Sequence, residues 1–380
     1  MLTILVWLST LLTCPADDIM SSILPEEDVD DIPGAFAQVG HVGTFFPWHA
    51  WGTVQLLTAA TAHVNLREKY LPYKHIIAQI IKDKNPHVRT VVNKVDDVGR
   101  HDEFRTFAFE VLAGDNDTNV IHHEHGCQFR FDFARVYWNS RLEAEHLRLV
   151  EKFRPGQLVC DVMAGVGPFA IPTGKKKIFV YANDLNPHGW EAMQDAIKRN
   201  KVERFVTAFN MDGRDFIRST AKALLSQKEF TVPVNSRWRR DTNQVLLSGK
   251  HAIIKPPPEL FTRPRVPSHY VMNLPASAID FLDAFQGLYE GEEELAFATS
   301  QQRLPMIHTY CFTGSSEDPV DDYNDICKRV SDRIGYTITP EDKANPEIEL
   351  EIHNVRKVSP KKRMFCISFR LPKQVAFRRR

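Results

Sequence analysis

The sequence predicts an α/β protein whose largest part is a parallel, doubly wound sheet. From residue 141 onward, short apolar runs alternate with amphipathic segments of helical length. Four of the apolar runs end in polar or glycine-containing turns, as expected where an open parallel sheet binds a ligand. The 380 residues are 43% hydrophobic and 25% charged, which excludes a disordered protein, a fibre and a coiled coil.

Before residue 141 the pattern indicates smaller α/β units. Residues 72–84 predict an amphipathic helix, and residues 88–95 and 105–112 predict strands. Residues 127–133 alternate between apolar and polar side chains, which predicts a strand with one buried face. We therefore expect a small α/β unit over residues 86–133.

The parallel sheet is predicted from four strands and two helices. The strands cover residues 158–163, 179–182, 205–210 and 269–273, and the helices cover 142–153 and 188–201. Residues 226–268, rich in Pro, Arg and Ser, predict an insertion before the last of these strands. At the C-terminal end, alternating apolar residues at 348–352 and 365–369 predict an antiparallel hairpin that turns at 359–363.

Charge is unevenly distributed although the formal net charge is zero. Residues 1–66 contain no Lys or Arg, and residues 17–31 contain seven acidic residues. Residues 356–380 contain ten basic residues and no acidic one, which is compatible with a solvated end or with phosphate binding. The six cysteines form no CxxC pair, so we predict reduced thiols without a zinc ribbon or a disulfide framework.

A run of histidines at residues 122, 123 and 125 precedes Cys127 and superficially suggests a metal site. Its spacing does not match the common zinc motifs, and consecutive strand residues point to opposite faces. We therefore predict no metal.

A glycine-containing turn supplies the strongest chemical signal. The strand at 158–163 contains Asp161, and the turn that follows contains Ala164, Gly165 and Gly167. Glycines at such a position let the backbone approach a ligand closely. The segment matches neither the GxGxxG pattern of dinucleotide-binding folds nor a P-loop.

The other strand ends carry matching polar residues. Asp184 follows the second strand, where a carboxylate can accept both hydroxyls of a ribose. Asp212 follows the third strand, within reach of an adenine edge, and the fourth leads into Asn273-Leu274-Pro275-Ala276. Together with the D-x-x-A-G-x-G-P turn, these positions favour S-adenosylmethionine over NAD as the cofactor.

These motifs resemble those of the archaeal and eukaryotic tRNA (guanine-37-N1)-methyltransferases, and in particular their fungal members. The resemblance is carried by residues 131–150, CDVMAGVGPFA, YANDLNP, FNMDGRDFI and NLPASAIDFLDAF, and by the C-terminal KKRMFCISFRLP. It implies a Rossmann-like class I S-adenosylmethionine-dependent methyltransferase domain with two smaller N-terminal α+β domains. It also implies methyl transfer from S-adenosylmethionine to N1 of guanosine 37 in tRNA, which supports reading-frame maintenance.

The resemblance assigns roles to individual residues. Glu145 matches the proposed general base, Arg105 the arginine that steadies the base oxygen, and Asn273 the asparagine near the base and the cofactor. With the strand-end residues above, the expected cofactor contacts are His146, Asp161, Ala164, Gly165, Gly167, Asp184, Leu185, Asp212, Gly213 and Asn273.

The expected domain division follows the same resemblance. We predict an uncertain leader at 1–20, an N-terminal domain that binds the tRNA corner at 21–84, a middle domain at 85–132 and a catalytic domain at 133–380. The uncharged, aromatic run at 42–61 is foreign to the pattern, and we interpret it as a retained intron. Sequencing the transcript tests this hypothesis.

Two alternatives remain at this point. One is aminocarboxypropyl transfer in wybutosine synthesis with the same fold and cofactor, and the other is an inactive tRNA-binding protein. We expect tRNA with G37 as the partner, no membrane association, no obligate protein partner and a monomer. The resemblance further implies the cytoplasm, nucleus and mitochondrial matrix as locations.

Overall fold

The computed structural model describes most of the chain. The described residues are 16–23, 37–39, 60–64, 68–86, 88–94, 104, 106, 109–235, 239–245, 251–254, 257–292, 303–314, 319–359 and 361–379. They belong to two compact units. The first comprises residues 1–147, 165–168 and 186–200, and the second comprises 148–164, 169–185 and 201–380.

The first unit begins with a small sheet and its covering helices. Its described elements are α1 (Ala16–Ile23), β1 (Ala37–Val39), β2 (Ala60–Val64), a 3-10 helix (Glu68–Tyr73), α2 (Lys74–Lys84), β3 (Val88–Lys94), β4 (Phe109–Gly114), β5 (Asn119–Glu124), β6 (Cys127–Asp132), a 3-10 turn (Ser140–Leu142), the start of α3 (Glu143–Val150) and α5 (Pro187–Asn200). The helix predicted at 72–84 and the strand predicted at 88–95 are confirmed within two residues.

Strands β1 to β4 form one sheet in chain order, with β2 parallel to β3 and the other pairs antiparallel. Helix α2 packs on it through Ile77, Ala78 and Ile81, whose spacing places them on one helical face. Ala16 and Met20 of α1 are buried in the same cluster. The boundary predicted between residues 20 and 21 therefore falls inside a packed helix.

The anomalous run at 42–61 lies almost entirely outside the described residues. Only its last two residues, at the start of β2, are described. Strands β1 and β2 pair on either side of the run, with Val39 opposite Thr61. The retained-intron interpretation stays a prediction.

Strands β5 and β6 form a tight hairpin. Its two turn residues, His125 and Gly126, have φ values of 49° and 71°, the left-handed conformation that a two-residue hairpin turn requires. Burial alternates along β6, which confirms the predicted one-sided strand. Helix α5 is joined to β6 because the Asn200 side chain forms hydrogen bonds with both backbone groups of Gln128, at 2.9 and 2.8 Å.

The second unit contains the large sheet. Its described elements are the end of α3, β7 (Leu158–Asp161), α4 (Ala170–Lys175), β8 (Phe179–Asn183), β9 (Val206–Phe209), α6 (Gly213–Ser226), β10 (Thr231–Val234), β11 (Arg239–Val245), β12 (His251–Ile254), β13 (Glu259–Thr262), β14 (His269–Met272), a 3-10 helix (Ala278–Phe285), β15 (Met306–Gly314), α7 (Pro319–Ile334), a 3-10 helix (Pro340–Ala344), β16 (Glu351–Ser359), β17 (Lys362–Arg370) and α8 (Lys373–Ala376).

Seven strands form the sheet in the order β16-β17-β15-β14-β7-β8-β9. Strands β15, β14, β7, β8 and β9 are parallel, and β17 is antiparallel to both of its neighbours. Each residue of β7, β8 and β14 is buried, which explains why these strands are largely apolar apart from the terminal residues Asp161, Asn183 and His269. We call the edge at which β7, β8, β9, β14 and β15 end the carboxyl edge.

The predicted sheet is confirmed, and three details differ from expectation. The helix predicted at 142–153 covers Glu143–Val150, preceded by a 3-10 turn. The predicted insertion contains two antiparallel ladders, β10 with β13 and β11 with β12. Ile348 and Leu350 are buried but precede β16, because the chain turns at Glu349, whose φ is 49°. Among the described residues, no helix is both long and apolar enough to span a bilayer.

A buried hydrogen-bonded chain crosses three strands of the second unit. His269 Nδ1 lies 3.0 Å from His308 Nε2, and His308 Nδ1 lies 2.8 Å from the Ser368 hydroxyl. At the other end, His269 Nε2 lies 3.2 Å from the side-chain oxygen of Gln157. Because that oxygen can only accept, each ring is satisfied in its neutral form, donating once and accepting once.

We predict that the hydrogen-bonded side chains of His269 and His308 make the stability of the second unit sensitive to acid. Burial lowers the pKa of His269 to about 3 and that of His308 well below its ordinary 6.5. Below pH 6.5 the unfolded chain binds protons that the folded chain does not, so stability falls as the pH falls. The expected loss is about 1.4 kcal/mol per pH unit for each histidine. Urea denaturation between pH 7.5 and 5.0 measures it, and the same pH slope in His308→Gln would contradict the assignment.

Candidate active-site residues

Asp161 is the last residue of β7, at the carboxyl edge, and is fully buried. Neither carboxyl oxygen has a partner at normal hydrogen-bond distance and angle among the described groups, although the Met163 amide acts on the carboxyl group. Burial, followed by repulsion from Asp184, raises the pKa of Asp161 to about 8, and the nearby Met163 amide only partly offsets this. A buried carboxyl group without a partner is costly, so its presence indicates a ligand that brings a positive charge or hydrogen-bond donors.

Asn183, the last residue of β8, holds the strand ends in place. Its side-chain amide donates to the carbonyls of Val162 and Met211, both at 3.0 Å, and its side-chain oxygen accepts from the Met211 amide at 3.0 Å. Its backbone carbonyl accepts from the Ala164 amide at 2.7 Å. One buried side chain therefore links the segments that follow β7, β8 and β9. The sequence analysis missed this role, although Asn183 directly precedes Asp184.

Asp184 and Leu185 follow β8 at the same edge. Asn210 donates to both of their carbonyls, at 2.7 and 3.0 Å, which fixes the path of this segment. Asp184 is half-buried, and 41% of the Leu185 side chain is exposed. An exposed leucine beside a carboxylate fits a ligand with an apolar ring attached to a hydroxylated sugar.

Asp212 begins helix α6 and caps it. One of its oxygens accepts hydrogen bonds from the Arg214 and Asp215 amides, at 2.8 and 3.3 Å. Gly213 is packed so closely that an added Cβ would lie 3.0 Å from the Phe281 ring and 3.1 Å from Val162. The structure therefore gives both residues a structural role, and the cofactor contacts expected from the sequence stay predictions.

The glycine turn has the backbone conformation that its sequence predicts. Gly165 and Gly167 have φ values of 56° and 94°, which other residues rarely adopt. A Cβ added at Gly165 would meet no atom within 4 Å, so the space beside it is open. At the end of β14, the side-chain oxygen of Asn273 is buried and accepts no hydrogen bond from the described residues. Asp161 and Asn273 thus both present unsatisfied acceptors at the carboxyl edge.

Glu145 and His146 lie on the part of α3 that belongs to the first unit, and both are buried. His146 Nδ1 lies 2.7 Å from Glu124 Oε1, which fixes the proton on Nδ1 and joins the helix to β5. Burial raises the pKa of Glu124, but the interactions with His122, whose Nε2 lies 3.7 Å from Glu124 Oε2, and with His146 outweigh burial and lower the pKa to about 2. Glu124 was not predicted as a site residue. Val120 and Glu124 are the two buried residues of β5, and no local signal marked Glu124 as different from a surface glutamate.

Aromatic rings surround this hydrogen-bonded pair. Trp138 lies 4.7 Å from His122, 5.3 Å from Phe131 and 6.3 Å from His146, between ring centroids. His125 donates through Nε2 to the carbonyl of Glu143 at 2.9 Å, which attaches the hairpin turn to the start of α3. Glu145 therefore stands on a helix that is held at two points. Arg105 lies outside the described residues, and no metal-binding group occurs among those that are described.

The parallel sheet has unsatisfied acceptors at its carboxyl edge. A glycine turn follows β7, and the segment Asn-Leu-Pro-Ala follows β14. Together these features define a Rossmann-like methyltransferase. Comparison with family models agrees. Residues 120–227 match the TRM5/TYW2 methyltransferase domain, and residues 60–118 match the TYW2 N-terminal domain.

Known sequences and structures narrow the class. The chain is 61% identical over 368 residues to an Aspergillus fumigatus protein named tRNA (guanine(37)-N(1))-methyltransferase, covering 95% of this chain and 72% of that one. A Schizosaccharomyces pombe protein of the same name is 46% identical over 367 residues, covering 95% and 73%. The chain belongs to the TRM5/TYW2 methyltransferase family.

Solved structures share the fold. Trm5b from Pyrococcus abyssi superposes with a TM-score of 0.58 at 23% identity, covering 91% of this chain and 78% of that one. TYW2 from Pyrococcus horikoshii, in complex with MeSAdo, gives 0.53 at 19% identity, covering 93% and 97%.

We predict that replacing Asp161 by Asn stabilises the protein and weakens cofactor binding. Between pH 3.8 and about 8 the folded chain keeps a proton that the unfolded chain releases, so stability falls as the pH rises. Removing this group should raise the free energy of unfolding at pH 7.5 by a few kcal/mol. Calorimetry should show S-adenosylmethionine bound at least about tenfold more weakly. The control is Asp332→Asn, at an exposed position of α7. Equal stability of Asp161→Asn and wild type would contradict the raised pKa.

We also predict that Glu124→Gln destabilises the first unit. The lowered pKa of Glu124 contributes about 3 kcal/mol at neutral pH, and this contribution is lost as the pH falls from 4.5 towards 2. Glu143→Gln, on the same helix as His146, should cost less than about 1 kcal/mol. Urea denaturation monitored by tryptophan fluorescence measures both. A loss no larger than that of Glu143→Gln would refute the role of Glu124.

Proposed function

We propose that the protein transfers the methyl group of S-adenosylmethionine to N1 of guanosine 37 in tRNA, and so supports reading-frame maintenance. The observation that carries the proposal is the pair of unsatisfied acceptors, Asp161 and Asn273, at the carboxyl edge. The curated relatives named above carry this activity in their names, and one solved relative is aTrm5 in complex with tRNALeu.

The residues present fit S-adenosylmethionine. Its ammonium group would satisfy the buried carboxyl group of Asp161, and its ribose hydroxyls match the carboxylate of Asp184. The exposed Leu185 side chain would cover an apolar ring, and the open space beside Gly165 leaves room for a ligand near the backbone. When bound, the cofactor supplies an electrophilic methyl group on a positively charged sulfur.

The target base needs a proton acceptor. N1 of neutral guanine carries a proton and is a poor nucleophile, so a carboxylate must accept that proton as the methyl group arrives. Glu145 is the residue to which the family resemblance assigns this role. The hydrogen bond between Glu124 and His146, at 2.7 Å, fixes the helix that carries it. Arg105 would stabilise the negative charge that develops on O6 of the base, and the unsatisfied oxygen of Asn273 can accept from a base amino group.

The alternative of aminocarboxypropyl transfer is separated by its by-product. Methyl transfer leaves S-adenosylhomocysteine, whereas aminocarboxypropyl transfer leaves methylthioadenosine. The names of the curated relatives favour methyl transfer. Tight tRNA binding without turnover at any enzyme concentration would instead indicate an inactive tRNA-binding protein.

The direct test uses purified full-length protein, labelled S-adenosylmethionine and two tRNA transcripts that differ only at position 37. Nucleoside mass spectrometry should find 1-methylguanosine from the G37 transcript and no product from the A37 transcript. If no product forms, the assay is repeated with residues 42–61 deleted. Absence of 1-methylguanosine with both forms of the protein would overturn the proposal.

We predict that Glu145→Gln lowers kcat by about 10²- to 10⁴-fold, the usual contribution of a general base. The dissociation constants for tRNA and S-adenosylmethionine should stay within about threefold, because the amide keeps the size of the carboxylate. Glu143→Gln, two residues earlier on the same helix, is the matched control and should keep wild-type kcat. A kcat above one tenth of wild type in Glu145→Gln would exclude it as the base.

We further propose the cytoplasm, nucleus and mitochondrial matrix as the sites of action, on the basis of the family resemblance. Fractionation of cells that express a C-terminally tagged chain tests this proposal. Signal confined to one compartment would correct it.

A further inference from the structure

The hairpin between β16 and β17 is strongly basic. Residues 356–363, which we call the basic hairpin, contain five basic residues and no acidic one: Arg356, Lys357, Lys361, Lys362 and Arg363. The methyl-transfer chemistry assigns no role to them.

Topology places the basic hairpin at the carboxyl edge. Strand β15 is parallel to β14 and ends at the same edge. Its last residue, Gly314, pairs with Lys362, the first residue of β17, and Lys362 also pairs with Ser359, the last residue of β16. The turn of the hairpin therefore lies on the side of the sheet where Asp161 ends β7 and Asn273 follows β14.

The hairpin also extends beyond the end of β14. Met272, the last residue of β14, is level with Thr309, which is five residues before Gly314. At roughly 3.3 Å per strand residue, β15 and β17 continue about 16 Å further in this direction. The Phe312 amide donates to the Pro275 carbonyl at 3.1 Å, so the segment after Asn273 runs beside this extension. The basic hairpin is thus attached to the Asn-Leu-Pro-Ala segment through β15.

The basic side chains of the hairpin differ in their surroundings. One is paired with a carboxylate of α7, and three lysines are exposed. Arg363 lies 3.1 Å from the carboxylate of Asp322, which is 2% exposed, and this ion pair fixes the hairpin to α7. Lys357 and Lys361 are exposed and form no ion pair with the described residues. Lys362 is exposed too, and its Nζ lies 4.0 Å from the centre of the Phe312 ring.

Other parts of the second unit contain basic side chains that are paired with carboxylates within 4 Å, as in the pairs Arg214–Asp283, Lys177–Glu259 and Arg333–Asp280. Lys357, Lys361 and Lys362 lie close together, in and beside this turn, and have no carboxylate partner among the described residues. Three such lysines create a local positive potential that attracts a polyanion.

Protection of a sheet edge is the competing explanation. Strand β16 is the outermost strand, and lysine on such a strand prevents pairing with another chain. That explanation accounts for Lys357 alone. Lys361 lies in the turn, and Lys362 begins β17, which has a neighbour on both sides.

We propose that Lys357, Lys361 and Lys362 bind backbone phosphates of the RNA substrate next to the nucleotide that enters the site beside Asn273. The inference rests on the proposed function, since it takes its ligand from it. Lysines that neutralise phosphates release condensed counterions, so their contribution depends on salt and not on base identity.

The test compares tRNA binding by full-length wild type and by the triple variant Lys357→Gln, Lys361→Gln, Lys362→Gln between 50 and 300 mM KCl. Each lost phosphate contact lowers the slope of log Kd against log salt by about 0.7 to 0.9. We therefore expect the slope to fall by about 2 and the affinity at 150 mM to fall at least about tenfold. A transcript with A37 should be affected equally.

The matched control removes three exposed lysines that lie away from the carboxyl edge, Lys201, Lys228 and Lys373. Lys201 precedes β9 and Lys373 follows β17, at the opposite ends of these strands, and Lys228 follows the end of α6. This variant should keep the wild-type slope within about 0.5. Equal loss in both triple variants, or unchanged binding in the hairpin variant, overturns the proposal.

Two further readouts keep the outcome decisive. Light scattering of the hairpin variant tests edge protection, because self-association with unchanged tRNA binding would favour that explanation and overturn ours. If the triple variant fails to fold, Lys361→Gln alone should lower the slope by about 1. Absence of 1-methylguanosine from wild type would refute the proposed function, while the binding comparison would still decide this inference.

Discussion

The candidate cofactor site depends on the hydrogen bonds of one buried amide. Asn183 binds the backbone after β7 and the backbone after β9 simultaneously, each at 3.0 Å, and its own carbonyl binds the start of the glycine turn. These contacts fix the positions of the backbone segments that carry Asp161, Asp184 and Asp212 at the carboxyl edge. A parallel sheet alone aligns its strands only approximately, and the amide supplies the register of the segments that follow them.

The carboxyl group of Asp161, which is proposed to bind the cofactor, also lowers the stability of the protein. Asp161 is fully buried, its carboxyl oxygens have no partner of normal hydrogen-bond geometry among the described residues, and the neighbouring carboxylate of Asp184 increases the cost of its charge. The protein tolerates this because the surrounding strands bury a large apolar cluster. Such a carboxyl group destabilises the free protein, and a cationic ligand would remove this cost. Binding sites commonly reduce the stability of the free protein in this way.

The residues near the proposed base show how far prediction reached. The family resemblance pointed to Glu145 and His146, and the structure finds both buried on one helix. It did not point to Glu124, because a glutamate within an alternating strand is expected at the surface. Only the fold places His122 and His146 beside that carboxylate, which makes burial of its charge favourable. Arg105 lies outside the described residues, so its role in stabilising the base oxygen stays a prediction.

Local patterns in the sequence were enough to predict the fold class, the positions of four strands of the sheet and the polar residue at or after the end of each, because apolar runs and turn residues are local signals. They did not predict β15 or the order of the strands in the sheet. The sequence also indicated the hairpin at residues 348–369 and its basic turn. The folded arrangement of the described residues sets which acceptors have no hydrogen-bond partner, which carboxylate is paired with histidines, and which lysines have no carboxylate nearby. These properties depend on burial and on contacts between residues far apart in the chain, and no local pattern records them.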